Sequence, residues 1–177
     1  MQGPVYGLST AEADLDDALL PNFHYDDILG TVVNRFLVPA VAGIPLTVYG
    51  KHGQTRCYLN LKETLQCVEL AANNARGKGE LRITNQFTET VSVNEFAELV
   101  PVAGLNIGLN VEVKSIPDPR KELEEYCYNP KHSGLLELGL KQNYLTNAVV
   151  FEMLNNIIEN KEKIVPARVL PRVVWNK

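Results

Sequence analysis

The sequence predicts an α/β protein with a single domain. Helix-like and strand-like segments alternate along the 177 residues, and no segment repeats another. The apolar fraction of 45% and the charged fraction of 21% are those of an ordinary globular protein. A chain of this length can bury roughly two-thirds of its unfolded surface in one core. We therefore expect one domain over residues 1–177.

The N-terminal quarter holds a strand end, a long loop and a helix. Residues 1–7 read as the last residues of a strand that enters a turn, because Gly and Pro punctuate a short apolar segment. The acidic stretch 9–27 reads as a surface loop with a partial helical turn that covers something. A helix is expected from residue 26 or 27 to 42, with aspartates at its positive end. Pro39 should end or kink that helix before Gly43.

Two strands and a second helix come next. Residues 46–49 and 57–60 are short segments typical of strands. Residues 61–74 have apolar side chains at helical spacing, and this helix should close before Gly77. Residues 80–84 are again strand-like.

A third helix is predicted to start at Ser92. Glu95 stands three residues later, as in a capping box, and the helix should run towards Gly104. A strand is predicted at 111–116, helices at 131–138 and 146–164, and an extended, mildly basic tail at 165–177.

Charge and hydropathy exclude two classes of partner. The net charge is −4 and the pI about 5.4, and the lysines and arginines are dispersed. No basic face is therefore offered to a nucleic acid. The longest apolar runs are far shorter than the roughly 18 residues of a membrane span, and the N-terminus lacks a signal-peptide pattern. We expect a soluble protein without a membrane span.

The cysteines predict no metal centre. Cys57, Cys67 and Cys127 are widely spaced, without a Cys-x-x-Cys pair or histidines at ligand spacing. Three unpaired thiols fit a reducing compartment, where small buried cysteines behave as apolar side chains.

Three segments in order identify a family. Gly-Lys-His-Gly-Gln-Thr-Arg at 50–56 follows Leu-Thr-Val-Tyr, and Asn-Gln-Phe-Thr-Glu stands at 85–89. Pro-Asp-Pro-Arg at 117–120 leads to Glu-Glu-Tyr-Cys-Tyr-Asn at 124–129. Together they resemble the C-terminal half of UDP-sulfoquinovose synthases, which are extended short-chain dehydrogenases/reductases. The resemblance runs from residue 2 to 175.

The resemblance implies an NAD-dependent enzyme. Members of the family bind NAD in a Rossmann half, oxidise UDP-glucose at carbon 4 and add sulfite, from free sulfite or a donor protein. The product, UDP-sulfoquinovose, supplies sulfolipid headgroups. The family's glycine-rich phosphate loop and catalytic Tyr-x-x-x-Lys are expected to lie outside this chain, so we assign it no catalytic residue and expect no activity or NAD binding from it alone.

A diphosphate clamp is the chemistry most open to this chain. Two guanidinium groups can each hold a phosphate through paired, charge-assisted hydrogen bonds. By resemblance, Arg56 and Arg120 match the superfamily positions for this clamp, although each is also explained as a surface arginine over apolar neighbours. Tyr49 would offer backbone groups to the uracil edge, though a plain core strand explains it equally.

Further candidates lie around the sugar. Thr31 stands at a helix start, where backbone donors can meet a phosphate. By resemblance, Gln2 lies near the sugar and nicotinamide, while Asn34 and Arg35 face the active centre. Of two alternating tyrosines at 126 and 128 only one should face the ligand, and Tyr128 is our candidate.

Two other functions remain open. The chain could be a non-catalytic UDP-sugar-binding or interaction fragment that pairs with a separate Rossmann chain, or it could belong to another NAD-dependent nucleotide-sugar epimerase or dehydratase. A homodimer, or association with a missing Rossmann half, is expected. The compartment implied is the cytoplasm, or the chloroplast stroma in a photosynthetic eukaryote.

Overall fold

The computed structural model describes residues 2–26, 28–49, 54–116 and 130–169. Helices and strands alternate in it, which confirms the predicted α/β class. The strands are β1 (Val5–Tyr6), β2 (Leu46–Tyr49), β3 (Thr55–Asn60), β4 (Glu89–Ser92) and β5 (Val113–Ile116). The helices are α1 (Val32–Ala42), α2 (Leu61–Asn73), α3 (Val93–Leu105), α4 (Ser133–Leu136) and α5 (Asn147–Glu159). Short 3-10 turns cover Asp17–Leu19, Lys161–Lys163 and Pro166–Arg168.

The described strands form two small sheets. In the first, β3 is central, with β1 parallel on one side and β4 antiparallel on the other. In the second, β2 and β5 run parallel, with Leu46 opposite Val113 and Tyr49 opposite Ile116. The sequence does not distinguish the two sheets, because strand pairing depends on contacts between distant segments.

A layer of three helices, α1, α3 and α5, forms the main core. Phe36 of α1 stacks on Phe96 of α3, with ring centroids 5.7 Å apart. Leu37, Val100 and Leu154 bring the buried faces of the three helices together. Apolar side chains at helical spacing therefore meet across the layer, and this burial stabilises each helix more than its own backbone propensity does.

Helix α1 begins later than predicted. The Asp26 carboxylate accepts hydrogen bonds from the backbone N–H groups of Ile28 and Leu29, both at 2.9 Å, and this local turn replaces a helical start. Thr31 is instead the N-cap. Ile28, expected on the apolar helix face, is 82% exposed. Asp26 thus precedes the helix and does not sit in its first turn.

Pro39 does not end α1. The helix continues through it to Ala42 and stops at Gly43, whose φ of 72° is the left-handed conformation that glycine adopts readily. The N–H groups of Gly43 and Ile44 then bond to the carbonyls of Ala40 and Pro39. A proline that removes one donor is tolerated here because the helix is otherwise buried and well capped.

Three further predictions need correction. Residues 80–84 form no strand, and Leu81 and Ile83 are 83% and 79% exposed, so neighbouring elements do not cover them. The helix predicted at 131–138 is the single turn α4, and the long C-terminal helix ends at Glu159. Gly139, with φ of 98°, stops any extension of α4.

The sequence does not predict β4, because Glu-Thr-Val-Ser at 89–92 lacks an apolar run, and the tail expected to be extended forms a 3-10 turn at Pro166–Arg168. The other predicted elements are present. Ser92 caps α3 with Glu95 in the predicted capping box, and β3 passes directly into α2 at residue 61. The loop at 9–27 contains a short helical turn, and its Phe23 and Tyr25 pack against the main core. Cys57 and Cys67 are buried and unpaired, while Cys127 lies outside the described residues.

Candidate functional site

The first turn of α1 brings three predicted residues together. The Thr31 hydroxyl accepts the backbone N–H of Asn34 at 3.4 Å, and its carbonyl accepts the N–H of Arg35 at 2.9 Å. The Asn34 side-chain amide donates to the carbonyl of His24 at 2.8 Å, which ties the preceding loop to this turn. No acidic side chain lies in the turn, so its positive dipole end is not neutralised locally.

Arg35 adds a positive charge to this turn. Its side chain is half-buried and makes no hydrogen bond or ion pair with any residue that the structure describes. A guanidinium without a protein partner at a helix N-terminus favours an anionic ligand, because the guanidinium and the N-terminal end of the helix dipole are both positive. Binding of a ligand at Thr31, Asn34 and Arg35 remains a prediction.

Arg56 stands apart from that turn. It lies on β3 opposite Val91 and is exposed. Its guanidinium donates to the Thr55 carbonyl at 3.0 Å and to the Gln54 side-chain oxygen at 3.2 Å. Both partners are sequence neighbours, so these bonds restrain Arg56 without burying its charge.

Of the remaining predicted residues, the structure describes two and leaves two outside the described ranges. Gln2 is exposed and forms a parallel bridge with Gln86. Tyr49 ends β2 in the other sheet and is partly buried. Arg120 and Tyr128 lie outside the described residues, so the two-arginine clamp remains a prediction.

A buried polar network was missed by sequence reasoning. Glu63, in the first turn of α2, is fully buried. One carboxylate oxygen accepts the N–H of Asn60 at 2.9 Å, and the other accepts the Thr88 hydroxyl at 2.5 Å and the Asn143 N–H at 2.6 Å. The Asn-x-x-Glu spacing of 60–63 is a capping-box signal that could have placed Glu63.

Glu89 extends the network to β1. Its Oε1 accepts the Leu145 N–H at 2.6 Å and the Tyr6 hydroxyl at 2.9 Å, and that hydroxyl also lies 2.9 Å from the Asn143 carbonyl oxygen. Burial is the main cause of the raised pKa values of both Glu89 and Tyr6. Because each group is held by others inside the fold, the network fastens residues 143–145 to β1, α2 and β4.

A Tyr-x-x-x-Lys spacing does occur in the chain, although the family's catalytic pair is expected to lie outside it. It is formed by Tyr58 and Lys62. Tyr58 is buried on β3, where burial raises the pKa of its phenol to about 12, whereas Lys62 is exposed in the first turn of α2. Residues four apart share a face only within one helix, so the two side chains do not form a helical pair. We assign them no catalytic role.

The described residues do not fit the pyrophosphate of NAD, the cofactor implied by the resemblance. Such a group needs a free helix N-terminus after a strand. Of the described helices, α2 and α3 directly follow strands. Glu63 and Glu95 already place carboxylates at those N-termini, where they accept the N–H groups of Asn60 and Ser92. A second anion there would be repelled.

The described ranges contain no helix with the length and apolar character needed to cross a bilayer.

Known sequences include close relatives, although no protein-family model matches the chain. The chain is 48% identical to the chloroplastic UDP-sulfoquinovose synthase of Spinacia oleracea, over 99% of this chain and 36% of that protein. It is 41% identical to the UDP-sulfoquinovose synthase of Sulfolobus acidocaldarius, over 100% of this chain and 45% of that protein. The chain therefore spans less than half the length of these curated relatives.

Solved structures give the same fold. The UDP-glucose 4-epimerase of Thermotoga maritima, solved with UDP-glucose, matches 91% of this chain and 45% of its own, with a TM-score of 0.64 and 16% identity. The dTDP-glucose 4,6-dehydratase DesIV of Streptomyces venezuelae, solved with NAD, matches 93% of this chain and 44% of its own, with a TM-score of 0.64 and 14% identity. The fold is thus part of an extended short-chain dehydrogenase/reductase, as predicted.

Proposed function

The chain belongs to the UDP-sulfoquinovose synthase family, and from this premise we propose that it is the UDP-sugar-binding part of such an enzyme. Identity of 48% across nearly the whole chain carries the proposal. The first turn of α1 supports it, because that turn contains no acidic residue and holds an arginine without a described protein partner.

We propose that two sets of groups bind the diphosphate. Arg56 and Arg120 supply guanidinium groups, and the helix N-terminus at Thr31 supplies backbone donors. Arg56 is restrained by Thr55 and Gln54 yet exposed, which suits a residue that must exchange water for a phosphate.

We propose that the other candidates bind the uracil and the sugar. Tyr49 offers backbone groups to the uracil edge, while Gln2, Asn34 and Tyr128 contact the sugar. Their side chains are neutral, so they contribute orientation through hydrogen bonds, and the arginines contribute most of the charge attraction.

The reaction proposed for the whole protein is carbon–sulfur bond formation on UDP-glucose, with sulfite or a sulfite-donor protein as the sulfur source. Sulfite is an anion, and Arg35 is the group of this chain proposed to attract it. The described residues do not fit the pyrophosphate of NAD, so we propose that a Rossmann half holds that part of the cofactor and that this chain alone is inactive. Formation of UDP-sulfoquinovose by the isolated chain with NAD, UDP-glucose and sulfite would contradict this.

Calorimetric titration with UDP-glucose tests the binding proposal. We expect the purified chain to bind with a dissociation constant in the millimolar range or tighter. Arg56→Ala and Arg120→Ala should each weaken binding at least roughly tenfold, because a charge-assisted hydrogen bond contributes about 1.5–3 kcal/mol.

Arg168→Ala is the matched control, since it removes an exposed arginine outside the proposed site. It should leave the affinity unchanged. An unmutated, folded chain that does not bind UDP-glucose, or equal losses in all three variants, would refute the proposed site.

A further inference from the structure

Residues 85–89, the Asn-Gln-Phe-Thr-Glu segment, are held rigidly by their neighbours. The Asn85 amide donates to the Lys131 carbonyl at 2.7 Å. The Phe87 ring is buried and lies 4.5 Å, between centroids, from the His132 ring. Thr88 and Glu89 belong to the buried network described above. Four of the five side chains thus make tertiary contacts.

Gln86 differs from these four neighbours. Its carbonyl accepts the Gly3 N–H at 2.8 Å, but its side-chain amide has no hydrogen-bond partner among the described residues. The side chain is half-buried. A segment that is otherwise anchored on both sides of Gln86 therefore presents one amide with unused donors and an unused acceptor.

The bridge places this amide beside Gln2. Residues that pair in parallel strands lie about 5 Å apart and direct their side chains to the same face. Gly3, next to Gln2, lets this segment pass close to β3, because a Cβ at that position would collide with the Cys57 carbonyl. The two amides consequently share one face where two parallel segments meet, and the side chain of Gln2 also has no partner among the described residues.

We propose that Gln86 is a second sugar-binding amide, acting with Gln2. This inference rests on the proposed function, in which Gln2 contacts the sugar of a nucleoside diphosphate sugar. Two adjacent amides offer four N–H donors and two acceptors to neighbouring hydroxyl groups, which both donate and accept. These hydrogen bonds favour binding of UDP-glucose over UDP. Because neither amide is charged, the pair contributes little to diphosphate binding.

Titration of the whole chain with UDP and with UDP-glucose separates these contributions. Gln86→Met keeps the length and removes the amide. It should weaken UDP-glucose binding roughly 3-fold to 10-fold, the value of one net hydrogen bond, while the affinity for UDP stays unchanged. Gln2→Met should have the same selective effect.

Gln66→Met makes the same chemical change on α2, outside the proposed site, and removes the hydrogen bond that the Gln66 oxygen accepts from the Lys141 N–H. It is the control for loss of a structural amide and should leave both affinities unchanged. Unchanged UDP-glucose binding in Gln86→Met would overturn the inference while leaving the proposed function intact. So would an equal loss for UDP and UDP-glucose, because that result indicates a structural role. Absence of UDP binding by the unmutated, folded chain would overturn the inference and the proposed function together.

Discussion

Glu89 has a partly buried carboxyl group whose ionisation the fold disfavours. Burial raises the pKa of its carboxyl group, and the charge of Glu63 raises it further, although bonds from Leu145 and Tyr6 oppose the rise. The fold therefore favours the neutral carboxyl group relative to the unfolded chain. Its contribution to stability is present below the unfolded pKa, about 4.3, and is lost as the pH rises through the folded pKa.

Glu89→Gln tests this behaviour. A neutral amide of the same shape removes the cost of ionising a buried group, so the wild type should lose stability relative to the variant as the pH rises above about 4.3. Urea denaturation at several pH values between 4 and 8 measures the difference in the free energy of unfolding. Glu98→Gln, on an exposed part of α3, is the control. Parallel pH curves for wild type and Glu89→Gln would contradict the prediction.

At the scale of the element, capping hydrogen bonds fix the junctions between strands and helices. β3 passes into α2 and β4 into α3 without a connecting loop, and each junction has a reciprocal capping box. In the second, the Ser92 hydroxyl accepts the Glu95 N–H at 3.1 Å and the Glu95 carboxylate accepts the Ser92 N–H at 2.7 Å. These bonds satisfy donors that a helix start leaves unpaired and fix where each strand ends.

Ser92→Ala should lower the free energy of unfolding by about 1 kcal/mol, because the N-cap acceptor is lost. Chemical denaturation measures this change. Asn94→Ala in the same helix is the control, since Asn94 is exposed and alanine has the higher helix propensity. It should cost nothing or stabilise slightly. Equal destabilisation by both variants would show that the cap is not the cause.

At the scale of the molecule, apolar side chains remain on the surface after the core is complete. Leu81 and Ile83 precede the anchored 85–89 segment, and Leu15 and Ile28 lie in the acidic N-terminal stretch; each is at least 79% exposed. Apolar surface of this extent is typical of proteins that associate, because burying it releases ordered water. Association with another copy, or with a Rossmann half, is therefore our proposal for this surface.

Replacement of Leu81 and Ile83 by serine tests that proposal. The double variant should show a lower weight-average mass than the wild type in static light scattering at the same concentration. Its circular dichroism should be unchanged, because neither side chain belongs to the core. A wild-type chain that is already monomeric throughout the concentration series would refute association with another copy.

The sequence by itself determined most elements and the family. Periodicity placed the buried side of α1, capping chemistry placed the start of α3 at Ser92, and three ordered segments identified the relatives, because each of these signals is local in the chain. The sequence misplaced the start of α1, because the turn capped by Asp26 replaces the first helical turn. It also assigned a strand to 80–84, where no neighbouring element covers the apolar side chains. Only the tertiary structure decided which distant groups meet: Glu63 bonds to Asn143, Glu89 bonds to Tyr6, and the backbones of Gln2 and Gln86 form a bridge. The members of each pair are 80 or more residues apart in the sequence. Their contacts exist only because folding brings distant segments of the chain together.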